Sequence, residues 1–298
     1  MHNLTCKKAR HIASIIIIIL GLFALNVWET NSAFAVQSDT QVIGGGEADP
    51  GEWPWMVALV LAPVEDAYDG HFCGGTLIAP EWVLTAAHCV EDLQTPYIDV
   101  VLGRHDLHSD EGERIGIEEK IIHPNYNPST LDSDLALLKL ERPSSQQFIQ
   151  ISPKLQYNPQ TFPPEIKSVV TGWGNTSPDE MDYPERLQEV ELPIVAREVC
   201  NAPEAYAGDV TENMLCAGYA QGGEDSCKGD SGGPLMSFDV IQSQWTQVGI
   251  VSWGEGCAEP NHYGVYTNLE LFSEWVNQEI ASLIVNEHTV WLPIVISQ

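Results

Sequence analysis

The sequence predicts an all-β fold made of two β-units and followed by one helix. Short apolar runs, β-branched or aromatic in part, recur along the chain between Pro, Gly, Asn and Asp, as strands bounded by turns do. A Pro- and Ser-rich passage over residues 142–164 divides the series into two halves. Near the end, Leu271, Phe272, Trp275, Val276 and Ile280 fall at helical spacing and form one apolar face.

Taken in order, the chain begins with Lys7, Lys8, Arg10 and His11 ahead of an apolar run over 12–27, a short polar stretch and Ala33-Phe34-Ala35. A basic head, an apolar centre and an A-x-A site make an export signal over 1–35, cleaved after Ala35. The competing reading is an uncleaved anchor, but the run is short of the ~20 residues of a membrane span. Residues 36–41 are too short to fold and precede Val42-Ile43-Gly44-Gly45-Gly46. Candidate strands follow at 56–62, 76–78, 82–85, 98–102, 115–117 and 135–140, then at 168–171, 188–195, 247–252 and 264–267. The natural division is a first unit over about 42–154 and a second over about 155–268, joined near 154–164. The helix is expected over about 269–280. The tail, 281–298, does not extend its pattern cleanly, is too short and interrupted to span a membrane, and has no assigned role.

Composition narrows the function. An apolar fraction of 44% with 24 glycines and 19 prolines fits a loop-rich globular chain of 298 residues. Three of the 13 basic and two of the 42 acidic residues lie in the first 41, so the remainder carries about −30. Such a surface excludes nucleic acid and, once the signal is removed, anionic membranes, whose binding needs basic patches. It attracts cationic ligands or simply keeps the chain soluble outside the cell. Cys6 leaves with the signal, and Cys73, Cys89, Cys200, Cys216, Cys227 and Cys257 remain. In an oxidising compartment six cysteines suggest three disulfides among fifteen pairings. None has C-x-x-C spacing, which argues against zinc.

Three separated segments carry chemistry. Asp225-Ser226-Cys227-Lys228-Gly229-Asp230-Ser231-Gly232-Gly233-Pro234 is too rich in glycine for a helix or long strand. Its glycines let the backbone turn tightly and approach a ligand. Ser231 there is a candidate nucleophile, with the N–H groups of Gly229 and Ser231 able to hold an oxyanion. Leu84-Thr85-Ala86-Ala87-His88-Cys89 puts a histidine at a strand end, and Asp134 stands where a buried apolar strand begins. A carboxylate in that position needs a partner, because burying an unpaired charge is costly. His88, Asp134 and Ser231 follow the His, Asp, Ser chain order of the serine-protease template. Alone, each is as well read as a structural residue; the ordered set points to nucleophilic catalysis.

Over most of its mature length the sequence resembles a trypsin-like, chymotrypsin-fold serine endopeptidase. The resemblance rests on Val42-Ile43-Gly44-Gly45, Trp53-Pro54-Trp55, Cys73-Gly74-Gly75, Thr85-Ala86-Ala87-His88-Cys89, Asp134-Leu135-Ala136-Leu137-Leu138, Gly172-Trp173-Gly174, Gly229-Asp230-Ser231-Gly232-Gly233-Pro234, Ser252-Trp253-Gly254 and Gly264-Val265-Tyr266. It implies two six-stranded antiparallel β-barrels with the active site between them. It also implies the pairings Cys73–Cys89, Cys200–Cys216 and Cys227–Cys257. By the same resemblance Ser231 is the nucleophile, His88 the general base, Asp134 its orienting acid, and Gly229 and Ser231 the oxyanion hole. Asp225 matches the base of the primary pocket, and Gly254 and Gly264 match the two wall positions that must be small for a long side chain to enter. Ser226 is placed to help bind Lys as well as Arg by hydrogen bonding, and Ser252 and Trp253 are further substrate-binding positions. An acid at the bottom of an open pocket selects Arg or Lys. The implied partners are therefore proteins or peptides with Arg or Lys at the cleavage site, together with proteinaceous inhibitors. The protein is expected to be a secreted monomer, extracellular or periplasmic.

The sequence also departs from the family pattern. Residue 41, where such zymogens usually carry Arg or Lys, is Gln. The family mechanism pairs the freed Val42 amine with Asp230, so activation is expected in trans, by a different protease. The loop from Gly103 to Glu113 aligns with the calcium loop of some relatives and holds Asp110, Glu111 and Glu113, but Arg104 stands where a first liganding glutamate is expected. Tyr263 stands where some relatives that bind sodium have tyrosine. Neither cation is predicted, and no cofactor is required. Asn175-Thr176-Ser177 is a glycosylation sequon. The competing functions are a catalytically inactive binding protein on the same scaffold, which an intact His88, Asp134 and Ser231 disfavours, and a chymotrypsin- or elastase-like preference, which Asp225 disfavours.

Overall fold

After β1 (Gly46–Glu47), six strands close into a barrel: β2 (Met56–Leu61), β3 (His71–Ala79), β4 (Trp82–Thr85), β5 (Ile98–Leu102), β6 (Glu113–Ile122) and β7 (Ala136–Leu140). This is seen in a computed structural model that describes residues 43–151, 167–177, 180–240 and 242–289, with backbone alone at 167 and 284–289. The expected signal and propeptide, Val42, the junction near 154–164 and the end of the tail lie outside the described residues. The strand order is β2-β3-β4-β7-β6-β5, and β2 pairs with β5 to close the ring. Every neighbouring pair is antiparallel. Closure leaves no open edge, and Leu59, Leu77, Leu84, Leu102, Leu137 and Leu138 fill the interior with essentially no exposed surface. Each such side chain contributes about 1.5–3 kcal/mol on burial.

A second ring follows β8 (Gln150–Ile151) and comprises β9 (Lys167–Gly172), β10 (Gln188–Val195), β11 (Met214–Ala217), β12 (Pro234–Asp239), β13 (Gln244–Trp253) and β14 (Gly264–Asn268). They run β10-β11-β14-β13-β12-β9, and β9 pairs back to β10. The two six-stranded barrels are those the resemblance implies. The division between them is less clean than the sequence suggests. β1 pairs with β10, and β8 lies parallel to β13, so two short pieces of the N-terminal half extend the second sheet. β1, β8, β11 and β12 had no strand signal of their own. They are two to six residues long, and β12 opens with Pro234.

Short helices α1 (Ala67–Gly70), α2 (Ala87–Val90) and α3 (Arg197–Cys200) punctuate the loops, and α4 (Leu269–Thr289) ends the described chain. Two expectations about α4 need correction. The helix continues past Ile280 through Thr289, and Leu271 is half exposed rather than part of the packed face. Leu269, Phe272 and Val276 are buried instead, against the first barrel's core, while His123 stacks edge-on to Phe272 and Trp275. At 100° per residue, 269, 272 and 276 share one stripe that 271 falls outside.

Candidate active site

Both barrels contribute to one cleft. β4 ends in a turn that α2 continues, putting His88 on the first barrel's rim, and Asp134 sits just before β7. Asp134 is fully buried. Its Oδ2 lies 2.7 Å from His88 Nδ1, and its Oδ1 accepts the His88 N–H at 3.0 Å. Ser252 Oγ of the second barrel donates to the same Oδ2 at 2.5 Å, and Thr267 Oγ1 donates to the Asp134 carbonyl at 2.7 Å. The acid is thus satisfied from both barrels, as a buried carboxylate must be. The resemblance made Ser252 a pocket residue and left Thr267 unmarked. That a buried acid requires several donors is a signal the sequence contains; which residues supply them is not.

Ser231 enters from the turn before β12. Its carbonyl accepts the Gly74 N–H at 2.7 Å, and it lies 3.6 Å from Cys89 Sγ, which also lies 3.7 Å from His88 Nε2. Histidine and serine therefore meet at one disulfide, Cys73–Cys89. Ser231 Oγ makes no hydrogen bond to His88 among the described residues. Such contacts are often loose before substrate binds. Cys73, His88 and Cys89 converge closely enough to suggest a metal group, but both sulfurs are already bonded to each other and cannot serve as thiolate ligands.

The turn itself is shaped by close approach. Gly232 has φ +80°, and a Cβ there would meet the Thr85 hydroxyl and the Gly74 carbonyl. The N–H groups of Gly229 and Ser231 donate to no protein acceptor among the described residues. Two free donors beside a serine form the arrangement that stabilises an oxyanion. Asp230 turns inward and is buried; Gly174 N–H donates to its Oδ1 at 2.8 Å and Cys227 N–H to its Oδ2 at 2.9 Å. Burial raises its pKa to about 6. Gly172 and Gly174 stand where any Cβ would strike its carboxylate.

Behind Ser231 lies a cavity of about 530 Å³ lined by Asp225, Ser226, Ser252, Trp253, Gly254 and Gly264, with Lys228 and Met181 at its edge. Asp225 is 5% exposed; its Oδ2 accepts the Ala258 N–H at 3.0 Å, and its Oδ1 has no partner. Burial pushes its pKa up to about 7. A Cβ on Gly264 would lie 2.8 Å from that orphan oxygen, whereas one on Gly254 would meet nothing closer than 3.8 Å. Only Gly264 is required by contact at the base; Gly254 keeps the mouth wide. Ser226 Oγ is 3.2 Å from Tyr266 Oη, and Tyr206 stacks edge-on to Trp253. The Cys227–Cys257 disulfide joins the loop bearing Asp225 and Ser226 to the segment after Gly254, and Cys200–Cys216 ties α3 to β11.

The remaining singled-out residues take structural positions. Arg104 Nε donates to the Glu111 carbonyl at 2.7 Å. Glu113 is engaged by Arg142, Ser144 and Ser145, and these contacts outweigh its burial and hold its pKa down at about 2. The carbonyl of Tyr263 accepts from Tyr206 Oη at 2.6 Å. Asn175 is buried, and its Nδ2 donates to the carbonyls of Ser177 and Glu180. The amide of the sequon is thus occupied in the folded chain.

Paired antiparallel barrels with this cleft between them define a chymotrypsin-fold protein. A family model described as Trypsin matches residues 42–276. A trypsin from Squalus acanthias is 38% identical over 255 residues, covering 84% of this chain and all of the relative. Anionic trypsin from Canis lupus familiaris is 39% identical over 255 residues, covering 84% and 94%. Transmembrane protease serine 5 from Homo sapiens is 37% identical over 242 residues, covering 80% of this chain and 51% of that protein. The chain belongs to the trypsin family and is a trypsin-like serine endopeptidase.

Proposed function

We propose that this endopeptidase hydrolyses peptide bonds that follow Arg or Lys, and that it is a secreted zymogen switched on by cleavage between Gln41 and Val42. The observation that carries the specificity is Asp225 Oδ1, a buried carboxylate oxygen without a partner at the base of a cavity with a glycine at its mouth. A guanidinium or ammonium group supplies the missing donor and neutralises the charge; an apolar side chain leaves both unmet.

In the proposed mechanism Ser231 Oγ attacks the scissile carbonyl while His88 Nε2 takes its proton. His88 then returns that proton to the leaving amine, giving an acyl-enzyme that water hydrolyses by the same steps. Asp134, held by Ser252 and the His88 N–H, keeps the imidazole proton on Nδ1 and stabilises the imidazolium. Gly229 and Ser231 N–H receive the oxyanion, each donor contributing about 3–4 kcal/mol to lowering the barrier.

Activation follows from Asp230, which has two backbone donors and no cationic partner among the described residues. The nearby Ile43 carbonyl accepts the Asp225 N–H at 3.1 Å, so the segment following Val42 already reaches the pocket loop. A freed Val42 amine, of ordinary pKa ~8, is the cation proposed to pair with Asp230 and fix the pocket and oxyanion loop. Pairing raises the amine's pKa, so the active form persists below that value and fades as pH rises through it. An enzyme that needs Arg or Lys does not cut after Gln41, so the activator is a different protease.

The test is hydrolysis of a peptide panel varied only at the residue before the cleaved bond, on protein whose N-terminus has been sequenced as Val42. Cleavage confined to Arg and Lys and abolished by a serine-directed inhibitor is expected. Equal cleavage after Phe or Ala overturns the specificity, and precursor that converts itself to a Val42 N-terminus overturns activation in trans.

A further inference from the structure

Lys228 is an anomaly of charge. In a chain of formal net charge −29, the other described lysine and arginine side chains, Arg197 apart, are held by carboxylates or backbone carbonyls. Lys228 is exposed on the rim of the cavity and makes no ion pair or side-chain hydrogen bond among the described residues. Its backbone is fixed nonetheless. Its carbonyl accepts the Asn175 N–H at 2.7 Å, Cys227 before it is disulfide-bonded, and Gly229 after it packs so closely on Gly174 that a Cβ would lie 2.9 Å from the Gly174 Cα. A cation on a pinned backbone, three residues before Ser231, has a defined reach.

The side of the bond it serves follows from the walls of the cleft. Ser252, Trp253 and Gly254 line the cavity that takes the side chain before the cleaved bond, so the acyl half of a substrate occupies that wall. Lys228 lines the same cavity with the exposed Glu180 and Met181 and the buried Asn175, and Tyr183 approaches Gly229, the residue after Lys228. This is the wall left for the half that departs. Glu180, exposed, is an acid lining the same cavity, yet among the described residues no ion pair joins it to Lys228. On the acyl side Glu255, exposed and 3.4 Å from His262, gives the opposite sign.

We propose that Lys228 is a specificity-determining residue that selects a carboxylate on the leaving-group side, so that favoured substrates carry Asp or Glu in the first two positions after the cleaved bond. The proposal rests on the Arg/Lys reading of the cleft. It gives an acidic enzyme one place where an acidic substrate residue is attracted rather than repelled.

The experiment uses enzyme processed to a Val42 N-terminus and peptides cleaved after Arg that carry Asp, Asn or Lys in either of the two following positions, with a matched set varied on the acyl side. The readout is the ratio of kcat/KM within one enzyme, which partial misfolding does not move. Asp is expected to exceed Asn by about 1.5- to fivefold on the leaving-group side, the size of an exposed ion pair, with the ratio shrinking at high salt. Lys228→Gln brings the ratio to about one, and Lys228→Glu inverts it in favour of Lys. A wild-type ratio of one, a ratio that survives Lys228→Gln, or discrimination confined to the acyl side overturns the proposal. Failure of the Arg/Lys reading shows differently, as no cleavage after Arg in any peptide.

Discussion

Two buried aspartates in one cleft have opposite surroundings. Asp134, from the first barrel, receives His88 N–H, His88 Nδ1, Ser252 Oγ and, at its carbonyl, Thr267 Oγ1. Asp225, from the second, receives one backbone N–H at one oxygen and nothing at the other. The first carboxylate is complete within the protein and can only orient what it already holds. The second leaves one oxygen without a partner, and burial raises its pKa. A buried charge satisfied by the fold positions a catalytic group; one left unsatisfied defines a ligand.

The largest expected effects separate these roles. Ser231→Ala should lower kcat by about 10⁶, as removal of a nucleophile does, and Asp134→Asn by about 10⁴, with both variants still binding a small arylamidinium in the pocket. Loss of that binding in Asp134→Asn would break the division between orienting and recognising acids. Next, Asp225→Ser should cost about 10²–10⁴ in kcat/KM for Arg and Lys peptides, the range for deleting one partner of a buried charge pair. Without ligand, Asp225→Asn should raise Tm by a few degrees at pH 8.

The sign of that stability change follows from the pKa. The folded value of about 7 lies above an unfolded value near 4, so the folded chain binds the extra proton between them. The stability this group contributes is fully present below about pH 4 and is lost as pH rises through about 7. For the same reason arylamidinium affinity should fall as pH drops from 8 to 6, because the cation needs the ionised acid. A flat binding profile across that range would show that the pocket carboxylate stays charged. A smaller effect is expected of Gly264→Ala, whose Cβ crowds the orphan oxygen: a ten- to hundredfold rise in KM for Arg peptides with kcat less affected, since transition-state groups are untouched. Smallest is Ser252→Ala, which removes one of Asp134's donors, at about 1–3 kcal/mol of stability by chemical denaturation.

The barrels were legible where a strand carried a run of apolar residues between turns. Length alone did not decide it, since β12, at six residues, was missed while β4, at four, was found. 82–85, 98–102 and 188–195 were read to the residue, and β3, β6 and β13 only in part, because glycines or polar residues interrupt their apolar runs. β1, β8, β11 and β12 are made by their neighbours rather than by side-chain preference, so no local signal marks them. At the site, His88, Asp134 and Ser231 stood out as an ordered set, and Asp225 and Asp230 through the flanking motifs that resemble the family. Thr267 and the second role of Ser252 did not, since an ordinary hydroxyl becomes a donor to Asp134 only when the other barrel arrives beside it.

The sequence by itself determined the strand-and-turn periodicity, the count of cysteines, the family and the chemical types at the cleft. These are properties of residues and their spacing. Only the tertiary structure decided how far the Asp134 and Asp225 charges are satisfied, because their hydrogen-bond partners come from 33 to 133 positions away along the chain. That accounting, rather than residue type, is what distinguishes the aspartate proposed to orient His88 from the aspartate proposed to bind the substrate cation.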